Sequence, residues 1–124
     1  MSINNEPLVL IADDLPQVID YYKQLLLNMY DISTVSATSL DQLDEVFDRF
    51  YNEIDVIILD GCIPGDKVNT IEFIRRVRAQ GFTKPIIAAS SMPEYRMQMM
   101  DAGCSHEREK EYAPELASWL LRGV

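Results

Sequence analysis

Three aspartates follow two of the most strand-like segments of the sequence. Asp13 and Asp14 come directly after the aliphatic run at 8–12, and Asp60 comes directly after the run at 56–59. Ligands of an open parallel α/β sheet bind outside the carboxyl ends of its strands, so these side chains would share one rim. Their repulsion would be costly unless a cation or a lysine neutralised it. Mg²⁺ fits this need, because it prefers oxygen ligands, takes only one or two carboxylates directly and leaves room for a phosphoryl group.

Each aspartate has an alternative role as a turn residue or a helix cap. For one aspartate alone we would favour that role, because the residue is common at such positions. A doublet and a third aspartate at matching strand ends favour a shared site instead. A further apolar run, 85–89, ends on Ser90 and Ser91, which would bring a hydroxyl to the same rim.

Short apolar runs alternate along the chain with segments of helical period. The predicted strands are 8–12, 32–35, 56–59 and 85–89, and the predicted helices begin near Pro16, Leu40, Ile71, Pro93 and Pro114. This alternation predicts an α/β fold, a doubly wound five-stranded parallel sheet flanked by five helices. The fifth strand would come from the polar segment 104–110, so we expect it to be weak, short and at an edge of the sheet.

Two helices carry specific expectations about their faces and ends. The spacing in the first helix predicts an apolar stripe made of Val18, Tyr22, Leu25, Leu26 and Met29. The second helix begins with Ser39 followed by Gln42, a pattern typical of a capping box.

Composition bounds the functional classes. The chain has 124 residues, 20 acidic against 11 basic side chains, a formal net charge of −9 and 48% hydrophobic residues, which suits one domain over 1–124. Such an acidic chain is expected to bind neither nucleic acid nor an anionic membrane surface. It has no apolar run of the roughly 20 residues that span a bilayer, and 1–6 lacks the pattern of a signal peptide. We therefore expect a cytoplasmic protein, with Cys62 and Cys104 as reduced, partly buried thiols.

Five segments, taken in order, resemble the receiver domain of two-component response regulators, over residues 7–121. They are Leu-Ile-Ala-Asp13-Asp14, the run from Asp55 to Gly65 that contains Asp60, the helix 71–78, the run Pro85-Ile-Ile-Ala-Ala-Ser90-Ser91, and Lys110 at the usual spacing after Ala102-Gly103. Each match is short, but together they are specific. The resemblance implies the flavodoxin-like fold of single-domain, chemotaxis-regulator-like receivers.

The resemblance also implies a role for each rim residue. Asp60 would be the phosphoacceptor that takes a phosphoryl group from a phosphohistidine. Asp13, Asp14, Asp60 and the backbone carbonyl of Cys62 would hold Mg²⁺, directly or through water.

Two further residues would contact the phosphoryl group. Lys110 would offer an ammonium to one of its oxygens, and Ser90 would donate a hydrogen bond to another. Lys110 has the alternative of a solvated surface lysine in a charged run, and Ser91 is an alternative donor to Ser90, since strand alternation makes one of the two point away.

The sequence departs from the family pattern near Lys110. Glu107 stands where the family usually has an aromatic residue that moves on activation. It could pair with a base such as Arg108 or Lys110, or repel a phosphorylated site nearby. Glu111 replaces the proline that commonly follows the lysine, so no cis peptide is expected there. These changes flank the face of the fourth helix, fifth strand and fifth helix, where receivers commonly dimerise.

The leading hypothesis is a receiver in phosphorelay signal transduction, not an enzyme beyond slow autodephosphorylation. Its partners would be a histidine kinase or histidine phosphotransfer protein and a downstream effector protein, with a possible homodimer through the face just described. It would be a complete regulator or the amino-terminal receiver of a longer effector protein. The alternatives are a degenerate receiver that acts as a phosphate-independent interaction module and, less favoured because no Gly-rich loop follows the first strand, a small nucleotide- or flavin-binding enzyme.

Overall fold

The computed structural model describes residues 6–123, which form alternating strands and helices. The elements in chain order are β1 (Leu8–Ala12), α1 (Pro16–Tyr30), β2 (Ser33–Ala37), α2 (Leu40–Arg49), β3 (Val56–Leu59), α3 (Ile71–Ala79), β4 (Ile86–Ala89), α4 (Pro93–Ala102), β5 (His106–Arg108), a 3₁₀ turn (Lys110–Tyr112) and α5 (Ala113–Arg122). No helix among these residues is long and apolar enough to cross a bilayer.

The five strands form one parallel sheet in the order β2-β1-β3-β4-β5. Successive side chains of a strand point to opposite faces, and both faces are covered here. Val9 and Ile11 pack with α1 and α5, whereas Leu10 and Ala12 pack with the helices α2, α3 and α4. The predicted fold class is therefore confirmed.

The polar fifth strand is as short as expected. β5 has three residues and pairs with β4 alone, at the edge of the sheet. β2 begins and ends later than predicted, at Ser33 and Ala37, because Ile32 belongs to the turn, where its N–H binds the carbonyl of Leu26.

The predicted apolar stripe of α1 needs correction. The buried residues of α1 are Ile19, Tyr22 and Leu26, whereas Met29 is 66% exposed. In the last turn of α1, Tyr30 rather than Met29 packs against the core, just before Asp31 ends the helix in a left-handed conformation.

The helix starts follow the sequence signals in part. Pro16 and Pro93 lie in the first turns of their helices, where a missing N–H costs no helical hydrogen bond. Ser39 accepts a hydrogen bond from the N–H of Gln42, as a capping box requires. The return bond differs, because the Gln42 side chain accepts from the backbone N–H of Thr38 rather than from that of Ser39.

Candidate functional site

The three predicted aspartates meet at the carboxyl edge of β1 and β3. Ala12 and Leu59 are partners in the register of these strands, so the residues that follow them emerge side by side. The backbone N–H of Asp60 continues the ladder with a 2.9 Å hydrogen bond to the carbonyl of Ala12. One carboxylate oxygen each of Asp13, Asp14 and Asp60 lies within 4.8 Å of the others. The structure thus brings the acidic residues together as the strand ends predicted.

Burial sets the electrostatics of this acidic cluster, which consists of Asp13, Asp14 and Asp60. Asp13 is 2% and Asp60 6% exposed, whereas Asp14 lies partly open to solvent. Burial and then the charge of Asp13 raise the pKa of Asp60 to about 6, against the opposing effect of Lys110. Asp60 is therefore mostly ionised at neutral pH, and the positive charge of Lys110 favours this ionised form. Three close carboxylate oxygens, one of them accessible, are a donor set that fits Mg²⁺.

Lys110 supplies positive charge to the cluster. Its ammonium nitrogen lies 3.1 Å from an oxygen of Asp13 and 3.2 Å from an oxygen of Asp60. Burial acts to lower the pKa of Lys110, but the charges of Asp60 and Asp13 together raise it, so the lysine is charged at neutral pH. The alternative of a fully solvated surface lysine is wrong.

Ser90, rather than Ser91, is the serine on the inner side of the rim. Ser90 is 4% exposed, whereas Ser91 is exposed to solvent. The Ser90 hydroxyl oxygen accepts a 3.1 Å hydrogen bond from the N–H of Met92, which folds the loop after β4 over the strand end. In that contact the hydroxyl is an acceptor, so its own hydrogen is not used there.

The loop after Asp60 is held by its own side chains. The side-chain amide of Asn69 accepts a hydrogen bond from the N–H of Ile63 and donates one to the carbonyl of Ile63, each at 2.8 Å. The backbone N–H of Asn69 donates to the carbonyl of Gly61. A backbone hydrogen bond from Cys62 acts to lower the pKa of Asp60. Cys62 and Cys104 form no disulfide, as expected, but both are buried rather than partly buried.

The cis peptide of this site is in the loop and not beside the lysine. The Ile63–Pro64 peptide bond is cis. Among the described residues no peptide bond after Lys110 is cis, as expected from the presence of Glu111 where the family commonly has a proline. The sequence did not indicate the cis bond before Pro64.

The Glu107 carboxylate pairs with a base, as expected, but that base is Arg96 rather than Arg108 or Lys110. The carboxylate lies 3.0 Å from the guanidinium of Arg96 on α4, and the same guanidinium donates a 2.6 Å hydrogen bond to the carbonyl of Ser90. An acid on the edge strand is thereby connected to the backbone of a rim residue. The sequence did not single out Arg96, because its two partners lie 6 and 11 residues away on other elements.

The family model of the response regulator receiver domain matches residues 9–116. This match spans most of the sequence. It contains four strands and four helices in full, β1 except for its first residue, and the beginning of α5. The chain therefore belongs to the response regulator receiver domain family. No match was found among curated proteins.

Solved receiver structures share the fold. The receiver domain of the Francisella response regulator 1452 is similar with a TM-score of 0.74 and 21% identity, over 94% of this chain and 93% of that one. The Vibrio cholerae chemotaxis protein CheY4 gives a TM-score of 0.71 and 23% identity, over 96% and 99%. Salmonella typhimurium RcsB gives a TM-score of 0.75 and 23% identity, over 97% of this chain and 62% of that one.

The response regulator receiver domain family is a signalling module of two-component systems and not a classical enzyme.

Proposed function

We propose that this receiver accepts a phosphoryl group on Asp60 in a Mg²⁺-dependent reaction and transmits the signal through its surface. The observation that carries the proposal is the grouping of a buried carboxylate with two further aspartates and a lysine at the carboxyl edge of the sheet. The phosphodonor is a histidine kinase or a histidine phosphotransfer protein.

The groups at the site are sufficient for transfer of a phosphoryl group from histidine to Asp60. An oxygen of ionised Asp60 attacks the phosphorus of a phosphohistidine, a P–O bond forms and the P–N bond breaks, and the leaving imidazole retains the electron pair and takes up a proton. Lys110 neutralises charge on the phosphoryl oxygens, and the hydroxyl of Ser90 donates to one of them. Mg²⁺, when bound by Asp13, Asp14, Asp60 and the carbonyl of Cys62, supplies the charge that offsets the repulsion between phosphate and carboxylate.

Acetyl phosphate provides the test of this reaction. The wild-type protein with Mg²⁺ and acetyl phosphate is expected to gain the mass of one phosphoryl group, and hydroxylamine should remove it as expected for an acyl phosphate. A chelator should prevent the gain. The variant Asp66→Asn changes an exposed aspartate of the neighbouring loop and should behave as wild type. A wild-type protein that forms no adduct with Mg²⁺ present would contradict the proposal.

Metal binding gives a separate prediction at Asp14. Mg²⁺ is expected to raise the unfolding temperature of the wild-type protein, because it binds only the folded state. Asp14→Ala should abolish this increase, since it removes the most accessible carboxylate of the cluster, while leaving the unfolding temperature without metal nearly unchanged. Titration calorimetry with Mg²⁺ checks the result, with Asp66→Asn as the matched control. Equal binding by Asp14→Ala and wild type would show that the metal lies elsewhere.

Partners and location follow from the same proposal. Residues 1–124 act as one receiver domain in the cytoplasm, with a downstream effector protein and no direct contact to nucleic acid or membrane, as the net charge of −9 favours. The face of α4, β5 and α5 is the surface through which we propose that any homodimer forms.

A phosphate-independent interaction module is the second candidate function. The observation that favours it is Glu107, whose carboxylate is fixed to Arg96 on the same face. In that case partner binding would be equal with and without acetyl phosphate, and the wild-type protein would form no adduct.

A further inference from the structure

Tyr22 lies on the side of the sheet covered by α1 and α5, close enough to Asp13 and Asp60 to be affected by their charges. Its side chain is almost fully buried, at 2% exposure, and its hydroxyl donates a 2.5 Å hydrogen bond to the backbone carbonyl of Lys110. Burial, and then the charges of Asp13 and Asp60, raise the pKa of Tyr22, so the phenol stays protonated and remains a donor. The contact joins residues 88 positions apart in the chain.

The carbonyl of Lys110 is held from two directions. The N–H of Ala113 bonds it from within the 3₁₀ turn Lys110–Tyr112, and the hydroxyl of Tyr22 bonds it from α1. The first bond shapes the turn itself. The second ties that turn to a helix that starts three residues after Asp13, the other partner of the lysine.

We propose that Tyr22 is a positioning residue for Lys110. By fixing the backbone of Lys110 against α1, the phenol limits the positions that the flexible side chain can reach and keeps its ammonium 3.1 and 3.2 Å from Asp13 and Asp60. The inference rests on the proposed role of Lys110 in phosphoryl transfer. Tyr22 acts through the lysine and does not contact the phosphoryl group.

Tyr22→Phe removes the hydroxyl and keeps the buried ring, and Tyr21→Phe is the matched control, because Tyr21 is the preceding residue on the same helix and is 51% exposed. Lysine acylation by limiting acetic anhydride, quantified by peptide mass spectrometry, reports how freely the ammonium of Lys110 leaves the cluster. Lys84, which pairs with Asp55 at 3.2 Å, is the reference within each sample. The ratio of Lys110 to Lys84 labelling should rise about threefold in Tyr22→Phe, as expected for one lost hydrogen bond, and stay at the wild-type value in Tyr21→Phe. An unchanged ratio in Tyr22→Phe would overturn the proposal.

A double-mutant comparison separates positioning from a general loss of structure. Tyr22→Phe should slow adduct formation from acetyl phosphate about threefold when Lys110 is present and have no further effect in the Lys110→Ala background. The loss of unfolding free energy, in contrast, should be equal in both backgrounds, because the backbone carbonyl is present in each. Equal slowing in both backgrounds would contradict action through Lys110. Absence of any wild-type adduct would reject the proposed function, and the labelling ratio would still decide the role of Tyr22.

Discussion

Asp60→Asn is expected to stabilise the metal-free protein at neutral pH by about 2 to 3 kcal/mol. The buried carboxylate has a pKa of about 6, raised from 3.8 by burial and then by Asp13, so its ionisation opposes folding. Asparagine has nearly the same shape and carries no charge. A side chain central to the proposed reaction is therefore expected to reduce stability, and its replacement should make the fold more robust.

The pH dependence fixes the sign of this effect. A carboxyl group whose pKa is higher in the folded state favours folding fully below the unfolded value of 3.8, and this contribution is lost as the pH rises through about 6. The difference in unfolding free energy between Asp60→Asn and wild type should thus be small near pH 4 and reach its full value near pH 7.

Urea unfolding in a chelating buffer at several pH values measures this difference. Asp66→Asn is the control, because it removes one exposed charge and should follow the wild-type curve. Equal stability of Asp60→Asn and wild type at pH 7, or an advantage that shrinks as the pH rises, would show that Asp60 is not under electrostatic strain.

Lys110→Ala is expected to have the opposite effect on stability. Without the ammonium, Asp13 and Asp60 face each other at the buried rim, and we expect a loss of about 2 to 4 kcal/mol in metal-free protein. Lys84→Ala is the matched control, since Lys84 also lies 3.2 Å from an aspartate oxygen, but in a pair whose side chains are 44% and 32% exposed. That pair should contribute less than about 1 kcal/mol.

The same variant should bind Mg²⁺ more tightly. The ammonium of Lys110 neutralises part of the negative charge of Asp13 and Asp60, which attracts the metal. Its removal should therefore lower the dissociation constant of Mg²⁺ roughly tenfold or more. Titration calorimetry compares Lys110→Ala with Lys84→Ala and wild type. Two results would show that Lys110 does not neutralise the acidic cluster. One is an equal loss of stability in Lys84→Ala and Lys110→Ala, and the other is an unchanged Mg²⁺ affinity in Lys110→Ala.

The acidic cluster could be predicted from the sequence, because its residues follow the ends of predicted strands. Asp13 and Asp60 each follow an aliphatic run, and parallel strands bring such positions to one edge whatever the rest of the chain does. Lys110 is different, because it lies in a charged segment and reaches Asp60 from 50 residues away. Only the resemblance to receivers indicated its place.

Contacts between side chains on separate elements were not predictable from local patterns. The sequence assigned Tyr22 to an apolar stripe, which is correct for its ring but says nothing of its hydroxyl. The pairing of Arg96 with Glu107 likewise depends on how α4 packs beside β5, and the sequence favoured nearer bases instead. Periodicity predicts which face of an element is buried, whereas polar pairing depends on three-dimensional packing.

Mapping the phosphorylated residue tests whether Asp60 is the phosphoacceptor. The protein is incubated with Mg²⁺ and acetyl phosphate, the acyl phosphate is reduced with borohydride, and peptide mass spectrometry identifies the altered aspartate. Because the oxygens of Asp13, Asp14 and Asp60 lie within 4.8 Å of one another, only such mapping distinguishes them. We expect modification of Asp60 in wild type and none in Asp60→Asn. Modification of Asp13 or Asp14, or an adduct that persists in Asp60→Asn, would contradict it.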